Sequence, residues 1–191
     1  MSSKKLIYFG VIFPISFLLI FFISGCGQEN IEEFYMADIP LPEHPRPDFE
    51  RDLWINLNGQ WEFCPDSLDV GEVDGWQDLD SVFVKEITVP FSWASPLSGI
   101  GKKDFNIAWY ARDILIPRGG EWKDKHIYLV IGASDFTTTV WLNGELVGEH
   151  EGGYTPFGFD LTGFGKRRGA SRLVIRVEDM PVPGRLVGKQ V

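Results

Sequence analysis

The chain has 191 residues, and its 27 Asp and Glu outnumber 18 Lys and Arg, for a formal net charge of −9. That balance excludes the basic footprint that nucleic-acid phosphates demand and suits a neutral partner such as a glycan. The three histidines (His44, His126 and His150) are scattered without ligand spacing, so neither a metal nor another cofactor is expected.

Taken in chain order, the first feature is an export signal. Lys4 and Lys5 precede an unbroken apolar stretch from Leu6 to Ile23, which ends in Ser24-Gly25-Cys26. A positive start, an apolar middle and small residues before a cut site describe a secretory leader. Cysteine after Ile-Ser-Gly resembles a bacterial lipobox, with Cys26 as the lipidated residue and 1–25 as the signal peptide. The alternative is an uncleaved anchor, since ~18 apolar residues nearly span a bilayer. Both place the protein outside the cytoplasm as a membrane-anchored lipoprotein or its equivalent, on the periplasmic or cell-surface side. With Cys26 acylated, Cys64 has no disulfide partner and reads as a small buried hydrophobe.

Residues 26–50 are acidic (Glu29, Glu32, Glu33) and then proline-rich (Pro40, Pro42, Pro45, Pro47), the composition of an extended tether. The folded domain is expected over 51–191. Leu53 to Phe63 reads as a first strand region interrupted at Asn58-Gly59, and Asp66 to Asp80 as an acidic loop anchored by Trp76. Val82 to Phe91 returns to strand character, Ala94 to Asn106 is irregular, and Ile107 to Ile116 is a strand stopped by Pro117. Ile127 to Ile131 is an apolar, β-branched block expected to be covered on both faces. Thr137 to Leu142 is a strand, and Asn143-Gly144 supplies the positive φ angles of a two-residue hairpin leading back through Glu145, Leu146 and Val147. Phe157, Phe159 and Leu161 alternate, as do Leu173, Ile175 and Val177, with Arg176 pointing the other way. No segment has the pattern of a capped helix of ten residues. Twenty-one glycines and twelve prolines suit a loop-rich all-β sandwich.

Five pieces of the chain together resemble the N-terminal sugar-binding domain of glycoside hydrolase family 2, the β-galactosidase, β-glucuronidase and β-mannosidase group. They are Leu57-Asn58-Gly59-Gln60-Trp61-Glu62-Phe63; Ile87-Thr88-Val89-Pro90-Phe91-Ser92-Trp93; Ala108-Trp109-Tyr110-Ala111-Arg112; Val140-Trp141-Leu142-Asn143-Gly144 with Gly148-Glu149-His150-Glu151-Gly152-Gly153-Tyr154; and Leu173 to Asp179 followed by Gly188-Lys189-Gln190. The resemblance implies a galactose-binding-like jelly roll of ~8 strands. In the family, an immunoglobulin-like sandwich and a TIM barrel follow, and the barrel carries both catalytic glutamates. The implied function is therefore to hold a β-linked glycan or oligosaccharide without cutting it. The chain stops after Lys189-Gln190, where family members continue into a segment that completes the sandwich. The expectation is a truncated product that lacks one strand and is poorly stable.

Glu149 and Glu151 flank His150, but beside Gly152-Gly153 they read as solvated loop charges rather than a glycosidase pair. Trp54, Trp61, Trp109 and Trp141 sit in strand patterns and read as core. By resemblance, Trp93, Asp179, Lys189 and Gln190 face the sugar; the β-galactosidase pattern often has an asparagine where Ser92 stands, which argues against a galactose-specific contact. Two alternatives accompany the family reading: a freestanding lipid-anchored carbohydrate-binding protein, and a module that completes a separately encoded catalytic chain.

Overall fold

The computed structural model describes residues 39–180 apart from 45, 47, 49, 103 and 166–168. The export signal, Cys26, Lys189, Gln190 and the question of a missing strand all lie outside those residues. Eight strands form: β1 (Gly59–Pro65), β2 (Lys85–Val89), β3 (Ile107–Ile114), β4 (Tyr128–Ile131), β5 (Thr137–Leu142), β6 (Glu145–Glu151), β7 (Phe157–Asp160) and β8 (Ser171–Glu178). They make a six-stranded sheet in the order β2-β1-β3-β8-β5-β6 and a two-stranded sheet of β4 and β7. Every pairing is antiparallel. Among the described residues there is no α-helix; four 3₁₀ turns of three residues each, Trp76–Asp78, Asp80–Val82, Pro96–Ser98 and Gly120–Trp122, punctuate the loops.

The two sheets enclose one apolar layer. Trp61, Phe63, Ile87, Val140, Leu142, Leu173, Ile175 and Val177 from the large sheet meet Leu129 and Phe159 from the small one and Leu161 just after β7. Phe63 and Leu173 are wholly buried. Truncating such a side chain to alanine costs about 3–5 kcal/mol for Phe and 2–5 for Leu. Two strands cannot cover six. Over β1, β2 and β3 the second wall is the irregular segment after β2, which contributes Trp93, Ile100 and Phe105.

The large sheet is covered on its other face too. Trp109, Ala111, Trp141 and Val174 form a second cluster beneath Cys64, Trp76 and Phe83. The Trp109 and Trp141 rings stack 5.2 Å apart, 18° from parallel, and Trp76 leans on Trp109 at 5.9 Å. With both faces of the large sheet covered, β3 and β8 are buried at consecutive positions, from Ile107 to Trp109 and from Leu173 to Val177, even where Arg176 interrupts the apolar residues. The acidic stretch after β1 is thus a cover. Asp69 and Glu178 hold Arg176, while Glu62, Asp80 and Asp113 surround Arg172.

Several expectations change. The block at Ile127 to Ile131 is covered on one face only. Tyr128 and Val130 are 59% and 65% exposed while Leu129 points inward, because none of the described residues packs over the outer face of the small sheet. The first strand begins at Gly59, not Leu53; the preceding residues are tied in by side chains, with Trp61 Nε1 donating to the Leu57 carbonyl at 2.8 Å and Arg112 to the same oxygen at 2.7 Å. Trp54 lies before β1 against His44, outside both apolar clusters, whereas Trp61, Trp109 and Trp141 are core. Glu149 and Glu151 stand on a strand rather than in a loop, since β5 pairs with β6 as far as Glu151. Cys64 is half-buried, and burial pushes its thiol pKa up, which keeps it protonated. The carbonyls of Pro40 and Leu41, in the segment expected as tether, accept from Asn58 and Asn56.

Candidate functional site

The sequence-derived sugar-facing residues that are described, Trp93 and Asp179, are linked through one short segment. The Trp93 ring lies 5.3 Å from that of Phe105, and the Asp179 amide donates to the carbonyl of Asn106 at 2.8 Å. Phe105 and Asn106 are adjacent, so the entry to β3 ties both residues to one end of the sandwich.

The Trp93 segment is held by its own polar groups. Ser95 caps the turn Pro96–Ser98, accepting from the Leu97 amide at 3.2 Å. Ser98, 1% exposed, donates to the Ser95 carbonyl at 2.8 Å and accepts from the Ile100 amide at 3.1 Å. The Lys102 amide returns to the Trp93 carbonyl at 3.1 Å. Trp93 is thus half-buried, with part of its ring set into the core and part left to solvent.

Asp66 organises the neighbouring wall. It follows β1, its amide continues the ladder to the Ile107 carbonyl at 2.9 Å, and it is 2% exposed. Its carboxylate accepts from the amides of Val70 and Gly71 at 3.0 and 2.9 Å and from Trp109 Nε1 at 3.1 Å. Gly71 is required there, because a Cβ would lie 2.6 Å from that indole nitrogen. Sequence reasoning missed Asp66. The signal available was an aspartate directly after a strand and before a glycine, which marks a turn but not its indole donor.

Beyond Asp66, the Asp69 carboxylate accepts from Arg176 Nη2 at 2.7 Å, and Glu178 from Nη1 at 2.8 Å. Burial opposes the charge on Arg176, but these two bonds outweigh it and hold the guanidinium pKa above its usual value. Between this wall and the start of β3 lies a cleft of about 220 Å³, bounded among others by Asp66, Leu68, Asp69, Asp104, Asn106 and Met180. No group of three His, Cys, Asp or Glu among the described residues is arranged to hold a metal.

Glu149 and Glu151 lie elsewhere, exposed on edge strand β6, opposite Thr139 and Thr137. His150 between them turns inward and stacks on Phe157 at 3.8 Å. This strand presents two solvated charges, not a pair facing across a cleft.

The family described as "Glycosyl hydrolases family 2, sugar binding domain" matches residues 54–187. The chain is 29% identical over 142 residues to a β-galactosidase of Thermoanaerobacter pseudethanolicus, covering 70% of this chain and 18% of that one. It is 31% identical over 117 residues to the β-glucuronidase of Mus musculus, covering 56% and 18%. Among solved structures, a β-glucuronidase from Ruminococcus gnavus in complex with D-glucuronic acid superposes with a TM-score of 0.55 at 26% identity, over 64% of this chain and 21% of that chain. The chain therefore spans about a fifth of the length of these relatives.

Proposed function

Because the chain belongs to the family 2 glycosyl hydrolase sugar-binding domains by its match over residues 54–187, we propose that it holds a β-linked glycan at the end of the sandwich where β3 begins and β8 ends. The match over most of the folded part is the observation that carries this reading. Trp93 offers the solvent side of a fixed ring to a CH-rich sugar face. Asp179, with its amide on Asn106, offers a carboxylate to sugar hydroxyls. Lys189 and Gln190 complete the set by resemblance.

The domain so read binds without cutting. Retaining hydrolysis needs two carboxyls ~5 Å apart flanking the bond, and the paired glutamates of β6 are exposed on one strand edge. The lipobox-like Cys26 anchors the domain outside the cytoplasm, with residues 26–50 as spacer and 51–191 as the sugar-binding unit. The sandwich acts beside a catalytic barrel of its own or of a separately encoded chain.

Titration calorimetry of the purified chain with β-linked oligosaccharides tests the binding, alongside turnover of chromogenic β-galactoside, β-glucuronide and β-mannoside. Saccharide-dependent heat that Trp93→Ala weakens about tenfold, without turnover, is expected, since an aromatic platform contributes ~1–1.5 kcal/mol. Absence of heat with every saccharide refutes the reading.

A further inference from the structure

Resting on the glycan reading above, we infer that Ser98 is the positioning residue of that site: from inside the loop it holds the Trp93 ring in its binding pose before any sugar arrives. The segment 92–102 lies between β2 and β3, and its only regular element is the 3₁₀ turn Pro96–Ser98. Its own hydrogen bonds must therefore supply the rigidity that a strand ladder supplies elsewhere.

Those bonds converge on Ser98. At 1% exposure its hydroxyl would be costly if unpaired, and it is paired twice. It donates to the Ser95 carbonyl at 2.8 Å, which also accepts from the Ser98 amide at 3.1 Å, and it accepts from the Ile100 amide at 3.1 Å. The same oxygen lies 3.5 Å from the Trp93 carbonyl, which the Lys102 amide engages at 3.1 Å. Gly99 and Gly101, with φ of 85° and 62°, make the bends that return the chain toward Trp93. One hydroxyl thus ties the turn before it to Ile100 after it. Ile100 is set in the same wall as Trp93 and Phe105, whose rings lie 5.3 Å apart. Without the hydroxyl the half-buried Ile100 amide has lost this acceptor, and the wall beside Trp93 loosens. A platform already fixed spares the ordering of its side chain on binding, and that ordering weakens affinity about two- to tenfold.

The test titrates methyl β-galactoside, methyl β-glucuronide and methyl β-mannoside into the isotope-labelled full chain in detergent, following backbone amides and indole N–H signals by NMR. At least one probe is expected to shift the Trp93 indole signal. With that probe Trp93→Ala is expected to weaken binding about tenfold, and Ser98→Ala about threefold. Because Ser98 acts through the ring, Ser98→Ala is expected to cost nothing more once Trp93 is alanine. In sugar-free Ser98→Ala the Trp93 indole signal is expected to broaden while that of Trp109 stays sharp. A merely structural role lowers the melting temperature and moves neither the affinity nor that signal. Where Ser98→Ala does not fold, Ser95→Ala takes its place: it removes the milder 3.2 Å bond from the Leu97 amide and is expected to weaken binding about twofold. Parent affinity in the serine variant that folds, or an undiminished loss with Trp93 already alanine, overturns the inference and leaves glycan binding intact. So does binding that Trp93→Ala leaves unchanged. Silence of every signal with all three probes overturns the inference and the glycan reading together.

Discussion

Asp66→Ala isolates the bonds that fasten the acidic cover to the large sheet. The carboxylate accepts from Val70 N, Gly71 N and Trp109 Nε1, and the last two donors are buried. Val70 N is partly exposed, so water can replace its acceptor. The other two lose theirs without replacement, at about 1–3 kcal/mol each for a buried unsatisfied donor. The expected loss is therefore about 2–6 kcal/mol, a large share of the 5–15 kcal/mol typical of a domain. Urea unfolding followed by far-ultraviolet circular dichroism measures it as a shift in midpoint at unchanged slope. A double-mutant cycle with Trp109→Phe assigns the part due to the indole N–H, because the void left by the smaller ring is present with and without Asp66 and cancels in the coupling term. The two changes together are expected to cost at least about 1 kcal/mol less than their sum. A loss below about 1 kcal/mol for Asp66→Ala, or strict additivity with Trp109→Phe, refutes the reasoning.

Gly148→Ala places a Cβ 2.7 Å from the Phe159 ring, where β6 crosses the small sheet. An overpacking cost of about 1–3 kcal/mol is expected by the same unfolding assay, relieved when Phe159→Leu is added. Asp160 has its carboxyl pKa held below the ordinary value by the side-chain hydroxyl and then the amide of Thr162. A depressed folded pKa contributes stability above the unfolded value near pH 4 and loses it as pH falls through the lower folded value. Asp160→Asn is accordingly expected to flatten the fall in melting temperature below pH 4, and parallel curves for variant and parent would contradict that.

The fold was readable where local chemistry decides the geometry. Asn143 and Gly144 take φ of 52° and 81°, as a two-residue hairpin demands, and β5 begins and ends where its threonines and Leu142 suggested. The block at Ile127 to Ile131 misled because an apolar run lacks a period and cannot reveal whether one face or two is covered. What lies on a face depends on residues far along the chain. Arg176 meets Asp69 and Arg172 meets Glu62 across more than a hundred residues, and no spacing rule joins them. The site shows the same division. Trp93 and Asp179 came from resemblance, and their link through Phe105 and Asn106 is visible only when β3 is paired with β8. Asp66, whose importance lies in an indole 43 residues away, had no local signature.

The wall that closes the core over β1, β2 and β3 is irregular chain, and that has a consequence for how binding preference can drift. Trp93 and Phe105 both pack into the interior, so on the proposed glycan reading a change of either ring to suit a new saccharide also opens a void in the core. The tips of the same segment (Ser92, Pro96, Leu97, Lys102 and Asp104) bear no such double duty, being exposed. On the proposed glycan reading, diversification of sugar preference is channelled to those five positions, while the rings between them stay fixed by the interior they seal.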